Sequence, residues 1–310
     1  MVNYKERKFK LGMHTYTLHL NGCGQNWGFV GDTFEQKINI FQLMDLANEW
    51  GLDGLHVTAV DLGSKDPEHL AKIKKAAEEH GLYMEYNCSL DEEFDKRLNE
   101  TFESACTVAK GFGADLVKFS LDIRRPKPLY GSAFCPQVMR QLCNVVDGIK
   151  KALPLYKEAG IRLCVENHTE TFADEIVWVV EQVNDPMVGV CVDNINSVSV
   201  LESPEYSDKR LAPYAFCCHF CDNELIRDQH GAHFIGVALG KGDIDCKKTL
   251  DALKAYAPES FDRINFEIEW AIGDDPLEVA QKKELDACVE SIKYLREELG
   301  LGVCTPKKKA

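Results

Sequence analysis

Eight times along 310 residues, a short run rich in apolar, β-branched and aromatic residues is followed by a longer segment of helical periodicity, with no linker between units. Strands are expected over 9–16, 54–59, 82–88, 114–121, 161–167, 187–194, 214–221 and 263–270. Helices are expected over 34–50, 66–81, 92–113, 136–160, 172–183, 247–257 and 276–299, with a fainter one near 204–213. In the first helix the apolar positions 38, 41, 43, 44, 46, 47 and 50 make one face. Pro154 should kink or restart the long fifth helix, because it lacks an N–H for the helical ladder. Eight such units are the number that closes a parallel barrel, and the length suits one. The expected fold class is therefore α/β, a (β/α)8 TIM barrel forming a single domain over 1–310. A doubly wound sheet would usually open on a glycine-rich phosphate turn, and "GMHTYTLHLNGCG" is not one.

Charge narrows the partners. Fifty acidic residues outnumber 36 basic ones, for a net charge of −14. That balance opposes nonspecific binding to nucleic acid and to anionic membranes. No apolar run reaches the roughly 18 residues that span a bilayer, and "MVNYKERKFK" lacks a signal core. Thirteen cysteines without regular spacing, several inside apolar strands, read as buried free thiols in a reducing compartment. The expected location is cytoplasmic.

In parallel barrels, chemistry gathers at the C-terminal ends of the strands. The last four strands each place a metal-capable residue there: Glu166 in "CVENH", Asp193 in "CVDN", His219 in "CCHFCD" and Glu267 in "NFEIE". The first two separations, 27 and 26 residues, are one β/α unit each; the third, 48, is one unit plus an insertion. One buried polar residue on a strand usually finds a local partner, but four at the same station on consecutive strands form a set. Three carboxylates and an imidazole suit a divalent cation that takes oxygen and nitrogen: Mn²⁺ first, with Mg²⁺, Fe²⁺, Co²⁺ or Zn²⁺ as alternatives. A zinc-finger reading of "CCHFC" lacks a second Cys/His pair at finger spacing. Glu267 and Glu269 share a strand face. Depth along the strand favours Glu267, with Glu269 behind it.

With these residues, the chain resembles the xylose isomerase-like barrels, the sugar-phosphate isomerase/epimerase superfamily, over nearly its whole length. Within that superfamily, "GMHTYTLHLNGCGQNWGF" (12–29), "VENH" (165–168) and "INFEIEW" (264–270) look most like the α subunit of C-glycoside deglycosidases. The resemblance implies Mn²⁺, a small β subunit in a hetero-oligomer, and cleavage of the C–C bond between an aromatic aglycone and a 3-oxo sugar. The alternatives are a ketose 3-epimerase or related isomerase and an inosose dehydratase-like lyase, which share the metal and the enediolate. A phosphodiesterase on the same fold would want more histidine ligands and a basic groove, and a barrel that only binds sugar would not need all four ligands.

The deglycosidase reaction removes a proton next to a carbonyl and then expels a group. His168, two residues beyond Glu166, is the expected base, acting as a neutral imidazole near pH 7. His14, His56, Asn87 and Lys118, on the first four strands, are expected to hold sugar hydroxyls. Trp27, beside Gln25 and Asn26 in "NGCGQNWG", is expected to stack on a ring. Two long excursions, 222–245 with His230, His233 and "GKGDID", and 124–136, are expected at the same mouth as lids or partner surfaces.

Overall fold

The computed structural model describes residues 7–25, 34–90, 95–125 and 133–303. Eight parallel strands close a barrel: β1 (Lys10–His14), β2 (Gly54–Thr58), β3 (Tyr83–Ser89), β4 (Leu116–Ser120), β5 (Arg162–Glu166), β6 (Val188–Asp193), β7 (Ala215–Phe220) and β10 (Arg263–Phe266). Each pairs with its sequence neighbour, and β10 pairs with both β7 and β1 to complete the ring. Helices α1 (Ile40–Trp50), α3 (Pro67–His80), α4 (Phe102–Phe112), α5 (Pro136–Ala159), α6 (Ala173–Val183), α7 (Pro204–Leu211), α8 (Cys246–Tyr256) and α9 (Leu277–Glu297) surround it, with a single turn, α2 (Ala59–Leu62), after β2. The apolar face of each helix packs on outward-facing strand residues; Leu43, Met44 and Ala47 of α1 and Leu11, Leu55 and Val57 of the strands share one core.

Local chemistry sets the helix ends. Asn39 accepts from the N–H groups of Phe41 and Gln42, and Gln42 returns a bond to the Asn39 N–H, fixing the start of α1. Gly51 ends it in a left-handed conformation (φ 69°) that a side chain would strain. Pro204 begins α7 at its first turn, which clarifies the faint helix near 204–213.

The structure departs from the sequence expectation in several places, among them the helices expected from 34 and 92, which begin at Ile40 and Phe102. Helix α5 runs unbroken through Pro154. Pro154 and Lys150 are both solvent-exposed, so water can satisfy the carbonyl that loses its donor, while Leu142, Ile149 and Tyr156 anchor the buried face. The first strand stops at His14 and turns into a 3-10 segment, Thr15–Asn21. The last strand stops at Phe266. The insertion after β7 is not a loop but an antiparallel hairpin, β8 (Asn223–Asp228) and β9 (Gly231–Gly236). Its base meets the chain after β10: a Cβ at Gly236 would stand 2.2 Å from the Glu269 carbonyl oxygen, so only glycine fits.

No helix among the described residues is long and apolar enough to cross a membrane. The twelve described cysteines are all free, and most are buried.

Candidate active site

The four residues expected to bind a cation converge at the C-terminal mouth. Glu166 ends β5, Asp193 ends β6 and His219 stands near the end of β7. Glu267 is the first residue beyond β10, its N–H bonded to the Phe220 carbonyl at 3.0 Å. Asp193 and His219 are level in the sheet. All four are buried.

Each carboxylate commits one oxygen to the protein and turns the other toward His219 Nδ1. Glu166 Oε2 takes the Lys118 ammonium at 2.5 Å, while Oε1 lies 2.7 Å from His219 Nδ1. Asp193 Oδ1 accepts from the Ile195 and Asn196 N–H groups, both at 2.9 Å, and Oδ2 lies 4.0 Å from the same nitrogen. Glu267 Oε1 lies 3.1 Å from His14 Nδ1, and Oε2 lies 3.0 Å from His219 Nδ1. The other ring nitrogen of His219 contacts His56 Nδ1 at 3.1 Å, which fixes the ring.

This arrangement fits a divalent cation. Glu267 Oε2 is buried without a hydrogen bond, an expensive state unless a cation answers it. Oxygen donors from three carboxylates and one imidazole nitrogen form a set for Mn²⁺, Mg²⁺ or a similar ion. Protons respond to the same field. Burial raises Asp193 well above the usual carboxylate range, reinforced by Glu166 and Glu267. Burial opposes charge on His219, yet Glu267 and Glu166 hold it well above the ordinary histidine value. A cation among these donors competes with those protons.

His168 lines the same cavity. Its Nδ1 lies 2.7 Å from Glu170 Oε2 and 3.7 Å from Asp122 Oδ1. Asp122 is held in turn by Ser89 Oγ at 2.5 Å and adopts a left-handed backbone (φ 50°) just beyond β4. Burial disfavours the imidazolium, but Glu170, Glu166 and Asp122 outweigh it and push the His168 pKa up to about 10. That field favours the protonated ring, where the sequence led to the expectation of a neutral imidazole near pH 7. A divalent charge beside Glu166 would oppose that proton.

Of the residues expected to hold sugar, His14, Asn87 and Lys118 line the cavity. His14 stacks on His219 with ring centroids 4.5 Å apart and contacts Asn87 Nδ2 through Nε2 at 2.9 Å. His56 is different: it is fully buried, contacts His219 and Glu85, and does not line the cavity. Gln25 lines the cavity; Asn26 and Trp27 lie outside the described residues, as does most of the 124–136 excursion. Glu269 stands on the cavity wall, its pKa pushed up by burial and by Glu267 to about 7. Sequence reasoning did not single out Asp122, Glu170, Ser89, Ser120 or Asn196. Glu170 was the most accessible of them, because it lies two residues beyond His168 in "ENHTE".

Two buried aspartates shape the mouth. Asp61 accepts from Thr15 Oγ1 (2.5 Å), Gly24 N (2.7 Å) and Thr58 N (2.8 Å), tying the turn after β1 to the end of β2. Asp222 accepts from the N–H groups of Gly240, Gly242 and Ile244, which gives "GKGDID" its folded path. His230 and His233 are exposed on the hairpin and do not line the cavity.

The family model described as xylose isomerase-like TIM barrel matches residues 44–298. A 3-oxo-isoapionate decarboxylase from Pectobacterium atrosepticum is 24% identical over 215 residues, 69% of this chain and 67% of that protein. Among solved structures, a D-psicose 3-epimerase determined in the presence of D-fructose superposes with a TM-score of 0.63 at 16% identity, covering 94% of this chain and 99% of the other. A xylose isomerase-like TIM barrel protein from Mycobacterium smegmatis in complex with magnesium gives 0.61 at 15% identity, covering 94% and 99%. At these identities the structural likeness speaks for the fold alone. With 255 residues inside the family model, this chain belongs to the xylose isomerase-like TIM barrel family.

Proposed function

We propose that the chain is the catalytic α subunit of a Mn²⁺-dependent C-glycoside deglycosidase, a lyase that works with a small β subunit. Glu166, Asp193, His219 and Glu267 would hold the ion. The observation that carries this reading is the convergence of three single carboxylate oxygens on His219 Nδ1, with His168 on the wall of the same cavity. A divalent ion there supplies a Lewis acid for a sugar carbonyl and its neighbouring hydroxyl.

In a 3-oxo C-glycoside, the proton on C2 is acidic. His168 takes it, with Nδ1 held by Glu170 so that Nε2 is the working nitrogen. The C2–H bond breaks and an enolate forms across C2 and C3. Its collapse restores the C3 carbonyl, forms a C1–C2 double bond and breaks the bond from C1 to the aglycone. The aglycone carbon takes up a proton, and the imidazolium of His168 is a source for it. His14 and Asn87 hold sugar oxygens. The decarboxylase relative adds support of a chemical kind, since losing CO₂ from a 3-oxo acid also leaves an enolate beside the ketone.

Ketose 3-epimerisation is the second reading, and Glu269 favours it. Burial and Glu267 push its carboxyl up to about 7, and it lines the same cavity as His168. An epimerase needs two proton carriers, one to remove a proton and another to return it on the opposite face.

The test is an assay of the Mn²⁺-loaded chain, alone and with a candidate β subunit, against a 3-oxo C-glucoside and against free ketoses. Aglycone release that needs the second subunit and is abolished in H168Q, with Mn²⁺ content unchanged, is the expected result. Ketose epimerisation without aglycone release would replace the first reading with the second.

A further inference from the structure

Lys118 stands on β4 beside Glu166 of β5, with 3% of its surface exposed. A buried ammonium is costly, and it carries three N–H donors. Among the described residues one acceptor takes a hydrogen bond from it, Glu166 Oε2. Lys118 also lines the cavity, so the remaining donors are left for whatever enters. A sugar hydroxyl does not need this. Asn87, Ser89 and Ser120 line the same wall and hold a neutral hydroxyl at far lower desolvation cost.

Charge supplies the reason for a lysine. Three ion-facing carboxylates and one divalent ion would sum to −1, and a substrate gaining negative charge beside them would form it against that field. Lys118 offsets it. We propose that Lys118 is a catalytic residue that donates hydrogen bonds to the substrate oxygen on which negative charge develops. It keeps its proton throughout. This deepens the function proposed above and rests on it. The general physical basis is a fixed donor aimed, in a dry site, at charge that appears only during reaction.

A brace for Glu166 is the competing role, and the two separate experimentally. The probe is oxalate, a small dianion that presents two oxygens as an enediolate does. Mn²⁺ affinity and oxalate affinity of the Mn²⁺-loaded chain are measured by calorimetry for the wild type, K118M and K118Q. Glutamine is the gentler variant, retaining a donor for Glu166 without the charge. Both variants should bind Mn²⁺ at least as tightly as the wild type, since a competing cation has gone, yet bind oxalate at least tenfold more weakly. On the substrate that is accepted, kcat should fall about a hundredfold or more with KM changed less than about threefold. Weaker Mn²⁺ binding in both variants would make Lys118 a brace and overturn the proposal. So would equal oxalate binding in variant and wild type, or no oxalate binding by the wild type. Weakened oxalate binding alongside a wild type that releases no aglycone would uphold Lys118 and remove the deglycosidase reading.

Discussion

Glu85 at the lower end of the barrel and Glu267 at the upper end are both buried, but their neighbours treat them differently. Asn265 Nδ2 donates to Glu85 Oε2 at 2.7 Å, and Arg263 reaches Oε1 at 3.4 Å. Arg263 is bidentate to Asp115 at 2.7 and 2.9 Å, and Tyr83 Oη donates to Asn265 Oδ1 at 2.8 Å. At the upper end, Glu267 Oε2, His14 Nδ1 and Asn87 Oδ1 are buried without hydrogen-bond partners. A closed network spends its donors and acceptors on the fold. An open one holds them for something that arrives. The difference marks the upper end as the working end without appeal to any relative.

The strongest way to break this comparison is a pair of substitutions. E267Q should lower turnover by about 10³-fold or more by removing an ion-facing oxygen. It should also cost the metal-free chain some stability, because the His14 and His219 rings lose the carboxylate they face. R263M should act on stability alone. Stability should fall by about 1–3 kcal/mol, since Glu85 loses a buried hydrogen-bond partner, while kcat of the folded fraction stays near wild type. Thermal melts and initial rates on both variants check this, and equal effects on turnover would erase the distinction between the two ends.

A smaller effect sharpens it. His168 titrates near 10 because burial is outweighed by Glu170, Glu166 and Asp122. Following its ring signals by NMR, with diamagnetic Mg²⁺ in place of Mn²⁺, should show the pKa falling by more than one unit on loading. A value that does not move would detach His168 from the ion site.

Asp208 supplies the smallest and a useful contrast, because it has an unpartnered buried oxygen outside the barrel. Its other oxygen accepts from Thr249 Oγ1 at 2.6 Å, and burial pushes its pKa up to about 7. The folded state therefore binds this proton more tightly than the unfolded chain. Stability from this group is present below the unfolded value near 4 and is lost as pH rises toward 7. D208N should melt a few degrees higher than wild type at pH 8 and show little gain at pH 4. A single orphan oxygen is a local cost; three carboxylates facing one nitrogen are a site.

The barrel was legible because each β/α unit carries its own periodicity, and eight of them leave one closure. The four strand-end residues were legible because parallel strands of equal length bring equal offsets to one level. What was hidden depends on contacts between units. Helix α5 survives Pro154 because of which way that residue faces. His56 looked like His14 in sequence, yet it does not line the cavity, and its ring contacts Glu85 and His219. The hairpin β8–β9 has mixed polarity because both its faces are wet, so it shows no alternation to read. Asp122 reaches His168 only through a left-handed residue after β4, a turn its sequence does not announce.

Each carboxylate at the mouth has one oxygen turned to the protein: Glu166 to Lys118, Asp193 to two backbone N–H groups, and Glu267 toward His14. For an ion seated there, this is a rule about denticity. If these oxygens stay engaged, the side chains would offer an ion three oxygens and a nitrogen. Calcium, which takes six to eight oxygens and favours bidentate carboxylates, would gain little from such a site. A smaller six-coordinate ion would have two positions left for substrate. The contacts on the idle oxygens would thus filter ions by coordination number.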